Sequence, residues 1–115
     1  MQRKRKTICL DFDGVIHQQL PPWRGREHVS GGLIPGAIDA IEQLKRKYTV
    51  VVYSGRCCTE SGIAAIQAWL KQHDIRVDAV CSHKPYADVF VDDKGVTYSG
   101  DWMQTIIDIK LMIGS

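Results

Sequence analysis

The feature that most constrains the fold is the run Val50-Val51-Val52 within residues 48–53. Successive side chains of a strand point to opposite faces of its sheet, so a half-buried strand alternates apolar with polar residues. Three consecutive β-branched residues therefore require cover on both faces, the situation of a strand inside a parallel sheet. The run stops abruptly at Ser54-Gly55-Arg56. Two further short apolar stretches end the same way, Thr7–Leu10 at Asp11 and Val89–Val91 at Asp92-Asp93. Each reads as a buried strand whose carboxyl end delivers polar groups.

The segments between these strands carry a helical period. Ile38, Ile41 and Leu44 recur at a spacing of three, with Pro35 suited to a first helical turn and the basic residues 45–47 to the negative end of the helix dipole. A second helix is expected over residues 59–73, with Thr59 as N-cap and Ile63, Ile66, Trp69 and Leu70 as its apolar stripe. Residues 79–81 form a short third strand, 96–98 return after a turn at Gly95, and 101–113 make a last amphipathic helix. Strands alternating with helices argue an α/β fold with a mainly parallel sheet and right-handed crossovers. In such sheets ligands bind outside the carboxyl ends of the strands, where Asp11, Ser54 and Asp92 stand.

With 115 residues the chain is sized for a single domain, 1–115, and shows no repeat or linker. Its 15 Lys and Arg against 13 Asp and Glu leave +2, a balance that calls for neither a nucleic-acid nor a membrane partner. The basic run at residues 3–6 reads as a solvated terminus. No apolar stretch approaches the about 20 residues that span a bilayer, and a cytoplasmic protein without membrane contact is expected. Cys9, Cys57, Cys58 and Cys81 lack metal-ligand spacing and the density of a disulfide framework, so free thiols are expected. Residues 17–34, rich in Pro and Gly, are long for a loop within a compact domain and read as a possible active-site loop.

Asp11-Phe12-Asp13-Gly14 sets two carboxylates two residues apart beyond a buried strand, where a turn at Gly14 can aim both into one pocket. Asp92-Asp93 repeats the arrangement at another strand end. Crowded carboxylates call for a hard cation such as Mg²⁺, bound through oxygen. Ser54, Gly55, Arg56 and Lys84 add a hydroxyl, backbone donors and positive charge between the acids.

Taken together, ICLDFDGVI at residues 8–16 resembles the first motif of the haloacid dehalogenase (HAD) phosphatases, VVYSGR the second, Lys84 the third and VFVDD the fourth, in the family's order. The resemblance implies a three-layer, Rossmann-like HAD fold without a cap domain. It also implies Asp11 as nucleophile forming an aspartyl-phosphate and Asp13 as general acid and base, with His17 the nearest alternative acid by sequence. Ser54, Gly55, Arg56 and Lys84 would bind the phosphoryl group, and Asp11, Asp13, Asp92 and Asp93 would serve the Mg²⁺, Asp13 through its backbone carbonyl.

The function so implied is that of a Mg²⁺-dependent phosphatase acting on a phosphate monoester. The partner would be a phosphorylated small molecule or a nucleic-acid end, since Ser54-Gly55-Arg56 is similar to the second motif of phosphatase domains acting on polynucleotide ends, although Arg56 could equally satisfy loop carbonyls. Two other classes are a non-catalytic phosphate-binding module and a receiver-like phosphoacceptor. Four crowded acids argue against the first, and an acceptor on the first rather than a central strand argues against the second.

Overall fold

The computed structural model describes residues 5–92 and 101–113. Asp93 and the returning strand expected at 96–98 lie outside the described residues. Within them the chain runs β1 (Thr7–Leu10), α1 (Ala37–Lys45), β2 (Thr49–Val52), a short 3-10 helix (Gly55–Cys58), α2 (Glu60–Gln72), β3 (Ala79–Val80), β4 (Val89–Val91) and α3 (Trp102–Ile113). The four strands form one parallel sheet in the order β3-β2-β1-β4. From β1 the chain moves outward to β2 and β3, then crosses back to place β4 on the other side of β1. The reversal lies between β1 and β4, so the crevice favoured for ligands opens at their carboxyl ends. The register pairs Leu10 with both Val91 and Val52, which brings Asp11, Asp92 and residues 53–54 to one level.

Local chemistry explains the boundaries. Thr59 caps α2 through its side chain, which accepts from Gly62 N at 3.1 Å, and Asp101 accepts from Met103 N at 2.9 Å to begin α3. Helix α1 starts two residues later than Pro35 suggested, because Gly36 takes a left-handed φ of 86° that ends the loop. Part of the basic terminus has a structural task that its sequence did not reveal. Arg5 donates to the carbonyls of Lys45, Lys47 and Tyr48 and so satisfies acceptors that the end of α1 leaves open.

The core joins Ile8, Leu10, Val50, Val52, Val89 and Val91, the residues of one sheet face, to the buried stripes of all three helices. Two successive right-handed crossovers in the same direction put α1 and α2 on that face, and α3 packs against α1. Cys9 and Val51 point to the opposite face and are buried, as the valine run requires, but stand outside this core. The third layer expected from the sequence is therefore not found among the described residues, where the helices gather on one side. No helix of the described residues is long and apolar enough to cross a membrane.

Candidate active site

At the carboxyl ends of β1, β2 and β4 lies a cavity of about 200 Å³ lined by Cys9, Asp11, Tyr53, Ser54, Gly55, Lys84, Phe90 and Asp92. Five of the expected site residues thus share one small pocket. Asp11 continues β1, and its backbone N–H donates to Val91 O at 3.3 Å, tying it to the strand that delivers Asp92. The Asp11 carboxylate accepts from Phe12 N at 2.7 Å, which restricts its rotation. Ser54 is extended and buried; its Oγ accepts Arg56 N at 3.1 Å, so that the hydroxyl proton remains available as a donor. Gly55 opens the 3-10 helix, where backbone N–H groups lack intrahelical acceptors. Lys84 sets its ammonium over the Phe90 ring at 4.7 Å, which holds a flexible cation at the pocket edge.

One of the lining groups is a thiol. Burial, with Cys81, Asp92 and Asp11 adding negative charge nearby, pushes the Cys9 thiol up to about 12, while Lys84 pulls the other way. Cys9 therefore stays protonated at neutral pH and supplies a small apolar wall rather than a nucleophile. Burial also raises the thiols of Cys57 and Cys81, whereas Cys58 is exposed, and all four cysteines are free. Iodoacetamide should consequently label native Cys58 first and Cys9 only on unfolding. Peptide mapping checks this, and labelling of Cys9 as fast as Cys58 would contradict the buried, uncharged thiol.

The other two described candidates lie elsewhere. Neither Asp13 nor Arg56 lines the cavity. Phe12 O accepts the N–H groups of Val15, Ile16 and His17, folding the chain into a tight loop that passes through Gly14 at φ 83°. This loop brings Asp13 against Arg56 of the 3-10 helix and His17. There both Asp13 oxygens are taken by Arg56, Nε to Oδ2 at 2.8 Å and Nη2 to Oδ1 at 3.1 Å. His17 Nδ1 adds a contact to Oδ1 at 2.9 Å. The expectation that Arg56 binds substrate is corrected by its surroundings, since the side chain is 1% exposed and its remaining donors go to Gln19 Oε1 and to the carbonyls of Gly25, Arg26 and His28. Satisfying loop carbonyls, the other reading of this residue, is what the geometry shows.

His17 is not placed to act as an acid on a substrate. It is 1% exposed, and its Nε2 accepts Gly31 N at 2.9 Å, which makes Nδ1 the protonated nitrogen that donates to Asp13. Phe12 stacks on one side of the ring at 5.0 Å and Trp69 meets it edge-on at 5.2 Å. Trp69 Nε1 donates to Gly31 O at 3.0 Å, so Trp69 and His17 hold the loop through partners 38 and 14 residues away, separations that leave no trace in the sequence.

Among the described residues no three His, Cys, Asp or Glu side chains form a group able to hold a metal ion. Mg²⁺ does not require one. It is commonly held by one or two carboxylates with waters and substrate phosphate, and the pair Asp11 and Asp92 at one pocket fits that donor set. Compared with known proteins, the chain matches no protein-family model and no curated protein sequence.

Proposed function

We propose that the chain is a Mg²⁺-dependent phosphohydrolase of the HAD type that works through an aspartyl-phosphate on Asp11. The observation that carries this reading is the convergence of Asp11, Ser54, Gly55, Lys84 and Asp92 on one cavity at the switch point of a parallel sheet. A carboxylate, a hydroxyl donor, a backbone N–H and a cation around one small volume match what a phosphoryl group in transfer needs.

In the first step an Asp11 oxygen attacks phosphorus in line, forming the acyl phosphate as the ester oxygen departs with a proton. Ser54 and the Gly55 N–H hold the non-bridging oxygens, and Lys84 offsets their charge. In the second step water cleaves the acyl phosphate and restores Asp11. Asp11 and Asp92, with Asp93 and the Asp13 carbonyl, would hold a Mg²⁺, which would supply charge neutralisation at the phosphoryl group. Asp13 is assigned the proton transfers. Its carboxylate does not line the cavity and is held by Arg56 and His17, so it acts from the orientation that these two impose.

The cavity, about 200 Å³, is smaller than the roughly 300–1,000 Å³ of pockets that enclose a whole small molecule. It accepts the phosphoryl end and leaves the rest of the ester outside. This favours substrates whose remainder is bulky, among them a phosphorylated polynucleotide end. Release of phosphate from a panel of sugar phosphates, nucleotides, pyrophosphate and 3′- or 5′-phosphorylated oligonucleotides tests the reading. Activity should require Mg²⁺, be lost on EDTA treatment and return with Mg²⁺ but not Ca²⁺, whose looser coordination misplaces the nucleophile. Full activity after exhaustive chelation would overturn the assignment of the acids.

A further inference from the structure

We propose that Arg56 is a positioning residue that locks the Asp13 carboxylate and the 17–31 segment into a single unit, so that neither holds its place without the other. The proposal rests on the phosphohydrolase reading for what Asp13 does, but its structural half stands alone.

The guanidinium is fully buried and spans two partners that the chain brings from far apart. One edge of the fork grips both Asp13 oxygens, at 2.8 and 3.1 Å. Nη1 meets the carbonyls of Gly25, Arg26 and His28 at 3.3, 3.0 and 3.0 Å, and Nη2 also reaches Gln19 Oε1 at 2.7 Å. Trp23 closes over the guanidinium plane at 4.6 Å. Three carbonyls converging on one point within a few residues would repel one another without a cation between them. A buried arginine without a carboxylate would in turn be an uncompensated charge. Each half of the contact thus supplies what the other lacks.

A lysine could not replace the group. Six acceptors are served by five N–H bonds in a rigid plane, whereas an ammonium has three donors and no fork. The second tie runs through His17, which joins Asp13 Oδ1 to Gly31 N, while Trp69 Nε1 donates to Gly31 O at 3.0 Å. The segment that the sequence marks as an active-site loop is in this way fastened to the residue assigned the proton transfers. None of the Asp13 carboxylate's hydrogen bonds goes to residues 25–28, so any response there to a change at Asp13 must travel through its partners.

Two measurements test the unit. Amide hydrogen exchange over residues 25–28, referenced to α1, should rise by about tenfold or more in Asp13→Asn and in Arg56→Lys. For Arg56→Lys, kcat should also fall at least about tenfold more for an alkyl than for an aryl phosphate, with KM little changed, because only the poorer leaving group needs a well-placed proton donor. Unchanged exchange at 25–28 in Asp13→Asn would overturn the coupling. Raised exchange with equal losses on alkyl and aryl esters would overturn the positioning of Asp13 and leave Arg56 a purely structural residue. Should Arg56→Lys not fold, Asp13→Asn decides the coupling by exchange, and Gln19→Ala, which removes one bond of the fork, takes over the leaving-group comparison. If the wild-type chain hydrolyses no ester, the phosphohydrolase reading falls while the exchange result still decides whether Arg56 couples the two parts.

Discussion

Asp11→Asn is expected to lower turnover by at least roughly a thousandfold, on the scale seen when a nucleophile is removed from an enzyme working by covalent catalysis. An amide oxygen is a weak nucleophile toward phosphorus and a poorer ligand for a hard cation, yet it is nearly isosteric with the carboxylate. The fold should survive for a specific reason. The side-chain oxygen that accepts Phe12 N can be kept by asparagine, and one negative charge is removed from a pocket that also holds Asp92. Without metal, the variant should melt close to the wild-type temperature, since the repulsion relieved at Asp92 is offset by the attraction lost to Lys84. Steady-state phosphate release and a thermal melt on the same preparation check both halves. Activity within a few-fold of wild type would eliminate the aspartyl-phosphate, and a collapsed melt would show that Asp11 is needed for folding rather than chemistry.

A large loss of stability is expected from Gly62→Ala. In an exposed helix this exchange normally stabilises by up to about 1 kcal/mol. Here the sign reverses. Gly62 is buried in the first turn of α2, and a Cβ there would overlap the carbonyl oxygen of Arg56 and come within 2.8 Å of its carbonyl carbon. Both contacts are backbone, so no side chain can swing aside. Either α2 moves off the 3-10 helix or that helix shifts with Ser54 and Arg56. Overpacking of this kind costs about 3 kcal/mol, on the order of 10 °C in Tm for a chain of this size. Denaturant unfolding measures it, with Gly55→Ala as the comparison because a Cβ at Gly55 meets nothing within 4 Å. A Gly62→Ala protein as stable as wild type would mean that α2 and the 3-10 helix are less closely apposed than the structure has them.

These two positions differ in how far the sequence reveals them. Asp11 can be found by reading, because a buried parallel strand is a short apolar run and its end is marked by the first polar residue. The same logic finds Ser54 and Asp92, and the pattern of helices between the strands brings all three to one edge. Gly62 reads only as a glycine in a helix. Its meaning depends on the backbone of a turn packed against it, and no periodicity records that approach.

Asp13 and Arg56 show the boundary most clearly. As residues they announce charge and chemistry, and their nearness to Asp11 and Ser54 suggests that all four face one ligand. The loop through Gly14 instead delivers Asp13 to Arg56 and His17, outside the lining of a cavity that opens beside Cys9 and Phe90. The sequence by itself determined the parallel α/β core, the strand ends and the acids placed there, because burial on both faces and helical period are local, repeated signals. Only the tertiary structure decided which charged groups meet the cavity and which meet one another. The Asp13–Arg56 pair spans 43 residues and the Arg56 contacts to the loop 28 to 37, and a hydrogen bond across such separations is set by how the elements pack, with no trace in the spacing of either residue.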